Sequence, residues 1–130
     1  MGVKKQDIDW GSIGFSYIKT DKRYVSNYKN GAWDEGALID DDMICISECA
    51  GVLQYSQSVF EGQKAYTNVN GEIVIFRPDQ NGIRLENSAK RLEIPVFPKE
   101  RFVEAVKEVV KANESWVPPY GTGASLYIRP

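Results

Sequence analysis

Tyr127 and Arg129 stand two residues apart in the run Ala124-Ser-Leu-Tyr-Ile-Arg-Pro130. In a strand, that spacing puts a phenol and a fixed cation on one face with Ser125, and Leu126 and Ile128 on the other. A guanidinium offers a planar fork of donors that matches two carboxylate oxygens, and the phenol adds a third hydrogen bond, so the pair suits a carboxylate. The same spacing also fits a surface strand with a solvated arginine. Arg84, Ser88 and Arg91 recur at helical spacing and make a second cationic face. Near a helix N-terminus, whose free N–H groups favour anions, such a face suits a phosphate; it equally suits an ordinary solvated surface.

The stretch Leu53-Gln-Tyr55-Ser-Gln-Ser-Val-Phe60-Glu-Gly62 follows neither a helical nor a strand period. Its Tyr55 and Phe60 are candidates for the wall of an apolar pocket, or for plain core. Lys64 is of a type that forms imines, but it falls in a predicted hairpin strand with no perturbing group beside it, and a surface role is expected. The chain has no histidine and two cysteines, Cys45 and Cys49. That excludes Ser-His-Asp and Cys-His catalysis, and a four-ligand zinc site from the usual donors; no metal site is expected. Four residues apart in a predicted strand, both thiols would face one side, as small core residues rather than a redox pair.

The elements that position these residues follow from period and punctuation. Short β-rich stretches at 13–18, 24–28, 32–33 and 43–47 alternate with turn signals at Asp21-Lys22, Lys29-Asn30-Gly31 and Asp40-Asp41-Asp42. A further pair, 63–69 and 72–77, flanks Asn70-Gly71, predicting a hairpin with a type I′ turn. After Arg77-Pro78 the spacing of Ile83, Leu85, Ala89 and Leu92 predicts a helix, N-capped by Asp79 or Asn81 and stopped by Pro95. Phe102, Val103, Val106, Val109 and Val110 form the apolar stripe of a second helix, introduced by Pro98 and ending near Asn113, and are expected in the core. Strands, two main helices and a returning strand make an α+β domain with an antiparallel sheet.

At 130 residues, with 42% hydrophobic and 26% charged residues and a net charge of −2, the chain reads as one ordinary globular domain, 1–130. No basic surplus points to nucleic acid, and no apolar run is long enough to span a bilayer. With no signal-peptide pattern at Met1–Gln6, a cytoplasmic location is expected.

Taken in order, Leu53-Gln-Tyr55, Phe60-Glu-Gly62, Lys64-Ala-Tyr66, Phe76-Arg77-Pro78, Asn81-Gly-Ile-Arg84, Ser88-Ala-Lys-Arg91-Leu92, Trp116-Val-Pro118 and Ala124-to-Pro130 resemble the branched-chain amino-acid aminotransferases, pyridoxal-phosphate enzymes of fold type IV. Gly14-Phe15 and Thr20-Asp21 extend the likeness over most of the chain. The resemblance implies the N-terminal small domain of such an enzyme, moving the amino group of leucine, isoleucine or valine to 2-oxoglutarate. It implies that Arg84 binds the cofactor's phosphate and that Tyr127 and Arg129 recognise the substrate carboxylate. It further implies that Phe15, Tyr55 and Phe60 line the pocket, Tyr55 reaching a neighbouring subunit's site in a homodimer. The family's cofactor-bonding lysine belongs to a second, larger domain and has no counterpart here, so these residues alone are expected to be inactive. Gln63 departs from the family, which commonly has an apolar residue after the glycine. A D-amino-acid aminotransferase or aminodeoxychorismate lyase of the same fold is an alternative, as is a non-catalytic truncated module.

Overall fold

The computed structural model describes residues 3–130. The first half is dominated by one long hairpin. Arg23–Val25 (β1) pairs antiparallel with Ala37–Ile39 (β4), and between them Tyr28–Lys29 (β2) and Ala32–Trp33 (β3) form the tip. At the tip Lys29 faces Ala32, and Asn30 (φ 53°) and Gly31 (φ 84°) both adopt positive φ. That is the two-residue turn of type I′ that Asn-Gly favours. The irregular step between tip and base is knitted by the Asp34 carboxylate. It accepts hydrogen bonds from Ser26 Oγ (2.9 Å), Asn27 N–H (3.0 Å), Asn27 Nδ2 (3.1 Å) and Gly36 N–H (3.0 Å). These donors, led by the Asn27 backbone N–H, lower its pKa to about 2.

Gly51–Tyr55 (α1) is a single short helix. Beyond it lies a three-stranded antiparallel sheet in which Gln63–Thr67 (β5) is central, flanked by Ile73–Ile75 (β6) and Leu126–Ile128 (β7). Two helices, Pro78–Arg91 (α2) and Lys99–Ala112 (α3), cover one face of it. Phe102, Val106 and Val110 of α3 pack with Ala65 and Val117 as the buried cluster, and Ile73, Ile75, Leu126 and Ile128 close over it. The fold is α+β with an antiparallel sheet, as the sequence predicts, and the α3 stripe is core.

The buried Asn113 joins the two halves. Its side-chain oxygen accepts from the Lys22 N–H (2.9 Å), and its amide nitrogen donates to the Lys22 (2.8 Å) and Val109 (2.7 Å) carbonyls. Trp33 adds an indole N–H to the Val96 carbonyl (2.8 Å) and an edge-on contact with Phe97.

Several local expectations are corrected. Residues 13–18 and 43–47 are not strands. β-rich composition alone makes no strand when no neighbour supplies the ladder. At the start of the second stretch the Met43 carbonyl, like that of Asp41 just before it, accepts instead from the Arg23 guanidinium. Cys45 and Cys49 are consequently exposed, not core. At Asn70-Gly71 only Gly71 has positive φ (81°), so no type I′ turn forms. The register Thr67↔Ile73 leaves a longer loop, in which the Asn68 side chain accepts the N–H groups of Asn70 and Glu72 at 2.9 Å. Helix α2 starts before either proposed cap: Arg77, itself in left-handed conformation, is the cap and precedes Pro78, which suits the first helical position. Asp79 is drawn into an ion pair with Arg77, and Ile83 and Leu92 remain exposed.

Candidate functional site

Three consecutive residues, Phe60, Glu61 and Gly62, lead into the central strand β5, and each meets a different predicted site residue. They meet β7 because the antiparallel register Gln63↔Ile128 and Lys64↔Tyr127 runs on into a hydrogen bond from the Glu61 N–H to the Pro130 carbonyl (3.2 Å). The Arg129 guanidinium lies over the Phe60 ring, 4.8 Å from its centroid, and over the Tyr127 ring at 5.2 Å. Its Nε donates to the Tyr127 hydroxyl at 3.0 Å. At Gly62, a Cβ would stand 2.6 Å from that hydroxyl, so only glycine leaves room for the phenol where it lies.

Glu61 carries the other half. Its side chain is 2% exposed and takes both Arg84 Nε (to Oε1) and Arg84 Nη2 (to Oε2), each at 2.6 Å. Asn81 Nδ2 adds a third bond to Oε2 at 2.8 Å. The Arg84 hydrogen bonds, the largest influence, hold the Glu61 carboxyl below its ordinary pKa, and Asn81 acts the same way. Arg84 is itself 66% exposed, so the rest of its guanidinium faces outward. It lies in the second turn of α2, beyond the reach of the helix N-terminus, which the Arg77–Asp79 pair occupies. Ser88 and Arg91 follow on the same side, without side-chain hydrogen bonds or ion pairs among the described residues.

Both arginines are therefore pinned in the same manner. Each gives its Nε–H to an internal partner, Arg84 adding one Nη2–H, and the remaining terminal N–H groups of each have no side-chain partner among the described residues. Among the described residues Arg129 has no carboxylate partner at all. Such a fork can take two oxygens of a carboxylate or phosphate side by side.

The remaining predicted residues are not gathered into this cluster. Tyr55 ends α1 and is 85% exposed, and Phe15 is 97% exposed. Phe15 does share an open cavity of about 1170 Å³ with Tyr127 and Arg129, between the segment 8–26, α3 and β7. Arg84, Tyr55 and Phe60 lie outside that cavity. Lys64 faces out from β5 opposite Tyr127 and is exposed, as expected. Sequence reasoning assigned no role to Glu61 or Gly62. The signals available were their position, an acid and a glycine directly after an aromatic in a stretch with no regular period, and their place in the Phe60-Glu-Gly62 segment of the family likeness.

Several known proteins are similar to this chain in sequence. No family model matches it. It is 51% identical over 125 residues to a branched-chain-amino-acid aminotransferase of Haemophilus influenzae, covering 96% of this chain and 36% of that one. Another protein of that name, from Helicobacter pylori, is 47% identical over 96% of this chain and 37% of its own length. A methionine aminotransferase of Arabidopsis thaliana is 42% identical over 98% of this chain and 36% of its own length. The chain thus spans roughly a third of the curated relatives it matches. Along nearly all of its length it is a homologue of branched-chain-amino-acid aminotransferases, as the motifs from Leu53 to Pro130 indicate.

Proposed function

We propose that this chain is the N-terminal small domain of a pyridoxal-phosphate-dependent aminotransferase that moves the amino group of leucine, isoleucine or valine to 2-oxoglutarate. The observation that carries the proposal is the convergence of Arg84, Tyr127 and Arg129 on Phe60-Glu61-Gly62, with Nη1 and one Nη2–H of Arg84, and both terminal nitrogens of Arg129, left without internal partners among the described residues. The cofactor, when bound, supplies the electron sink that amino transfer needs. The residues fit it: the outward nitrogens of Arg84 match a phosphate, and a cation already held by a buried carboxylate needs little reordering to bind one.

Within this reading Arg129 takes the substrate carboxylate through its terminal nitrogens, while the Tyr127 hydroxyl both receives Arg129 Nε and offers its own proton to the same carboxylate. Phe60, stacked under Arg129, excludes water from one side of that contact. Phe15 and Tyr55 complete the apolar wall when further chain covers them, Tyr55 from the neighbouring subunit of a homodimer. None of the chain's own lysines is assigned to bond the cofactor; that lysine is assigned to a second domain. A cytoplasmic location belongs to the same proposal. Among the described residues no helix is long and apolar enough to cross a membrane.

The test is amino transfer by the intact protein, with pyridoxal phosphate, 2-oxoglutarate and each of leucine, isoleucine, valine, methionine and D-alanine. Glutamate should form fastest with the branched L-amino acids. A preference for methionine or for D-alanine would overturn the substrate assignment, and no transfer from any donor would overturn the activity.

A further inference from the structure

The geometry points to Glu61 as a positioning residue for anion binding: its buried carboxylate fixes the Arg84 guanidinium so that the Nη1/Nη2 edge is presented outward to a phosphate. The inference rests on the phosphate reading of Arg84 and adds a residue to it. Arginine carries five N–H donors. Glu61 takes the Nε–H and one Nη2–H, each at 2.6 Å. This sideways pairing leaves two donors on Nη1 and one on Nη2; one Nη1–H and the Nη2–H lie side by side on the end edge, which is the edge suited to a second bidentate partner. The carboxylate is itself immobile. It is 2% exposed, it receives Asn81 Nδ2 at 2.8 Å, and its backbone N–H is tied to the Pro130 carbonyl of the β7 extension.

Two effects of Glu61 on a bound phosphate oppose each other. Its negative charge weakens the attraction, and its grip on Arg84 removes the conformational freedom that the anion would otherwise have to freeze. Arg84 is mostly exposed, so water and salt screen the charge effect strongly. A free arginine, by contrast, carries much rotamer freedom, and immobilising one such side chain on binding is worth up to roughly tenfold in affinity. Pinning is therefore expected to win.

The experiment measures dissociation constants of the intact protein for pyridoxal phosphate and for pyridoxal, which lacks the phosphate, in wild type, Glu61→Gln, Glu61→Asp and Arg84→Gln. Binding can be followed by the absorbance of the bound ring. Glu61→Gln keeps the shape and should weaken pyridoxal phosphate roughly tenfold while changing pyridoxal less than about twofold. Glu61→Asp keeps the charge but falls short of Arg84, and should show the same selective loss. A merely structural role would weaken both ligands alike, and tighter phosphate binding in Glu61→Gln would mean that charge dominates; either result overturns the inference. If Arg84→Gln shows the selective loss and both Glu61 variants do not, positioning fails and the phosphate site stands. If Arg84→Gln shows no selective loss, the phosphate reading fails and this inference with it.

Discussion

Replacing Gln63 by methionine should stabilise the protein. Gln63 is 7% exposed, two residues before the fully buried Ala65 on the core face of β5, and neither atom of its side-chain amide meets a hydrogen-bond partner among the described residues. An amide buried in this state costs about 1–3 kcal/mol relative to one left in water. Methionine has nearly the same length and volume and carries no polar atom that needs a partner, so it opens no cavity and adapts to small gaps. Allowing for imperfect repacking, a net gain of about 1–2 kcal/mol is expected, or roughly 3–8 °C in melting temperature for a domain of this size. The assay is urea unfolding of wild type and Gln63→Met side by side. The midpoint should rise with the slope unchanged, because the surface exposed on unfolding is the same. Gln63→Ala serves as control: it also removes the amide but leaves a void, and should fall below Gln63→Met. A lower midpoint for Gln63→Met than for wild type would refute the reasoning, since the amide would then have to be satisfied in the folded protein.

Three further outcomes follow from the same structure. Gly62→Ala places a Cβ 2.6 Å from the Tyr127 hydroxyl. The ring is exposed and can swing away, so the unfolding free energy from urea titration should change by less than about 1 kcal/mol; the KM for the amino-acid substrate should rise as Tyr127 and Arg129 lose register, and an unchanged KM would separate Tyr127 from substrate binding. Glu93 has φ 56° just past the end of α2, where Ile94 N–H returns to the Ala89 carbonyl at 2.9 Å and Glu93 N–H to the Lys90 carbonyl. Glycine is preferred at that position of a helix end, so Glu93→Gly should raise stability by about 1 kcal/mol in the same unfolding assay. Asp34 has a folded pKa lowered from 3.8 to about 2. Its contribution is therefore complete above the unfolded value and lost as pH falls through about 2. Protection of the Asn27 and Gly36 amides, their exchange rate relative to the intrinsic rate at each pH, should fall over that window in wild type and stay level in Asp34→Asn.

What could be read from the sequence was what local periodicity encodes. The α3 stripe recurs every three or four residues and buries as expected, and the two-residue alternation of β7 assigns Tyr127 and Arg129 to the face opposite Leu126 and Ile128. Residues 13–18 and 43–47 are β-rich too, but a strand also needs a neighbour, and the identity of that neighbour is not a local property. The two Asn-Gly pairs make the same point: the type I′ turn forms at Asn30-Gly31, where the register leaves two loop residues, and not at Asn70-Gly71, where Asn68 captures the turn first. Candidate arginines were legible because a guanidinium has few uses. Glu61 was not, because its meaning comes from Arg84, which only the folding of α2 against β5 brings beside it.

The pairing of β5 with β7 has a consequence for how the molecule is made. β5 can zip to β6 across a short loop as soon as both strands exist, whereas Gln63 must wait for Ile128. Closing so long a loop is entropically costly, so the second pairing forms late, after α2 and α3 have shortened the path. Arg129 reaches Phe60, and Pro130 reaches Glu61, only through that last pairing. A ribosome-bound chain that has not yet extruded β7 would thus hold the Arg84 half of the cluster without the Arg129 half. Anion recognition of one kind would mature before the other, in the order in which the strands dock.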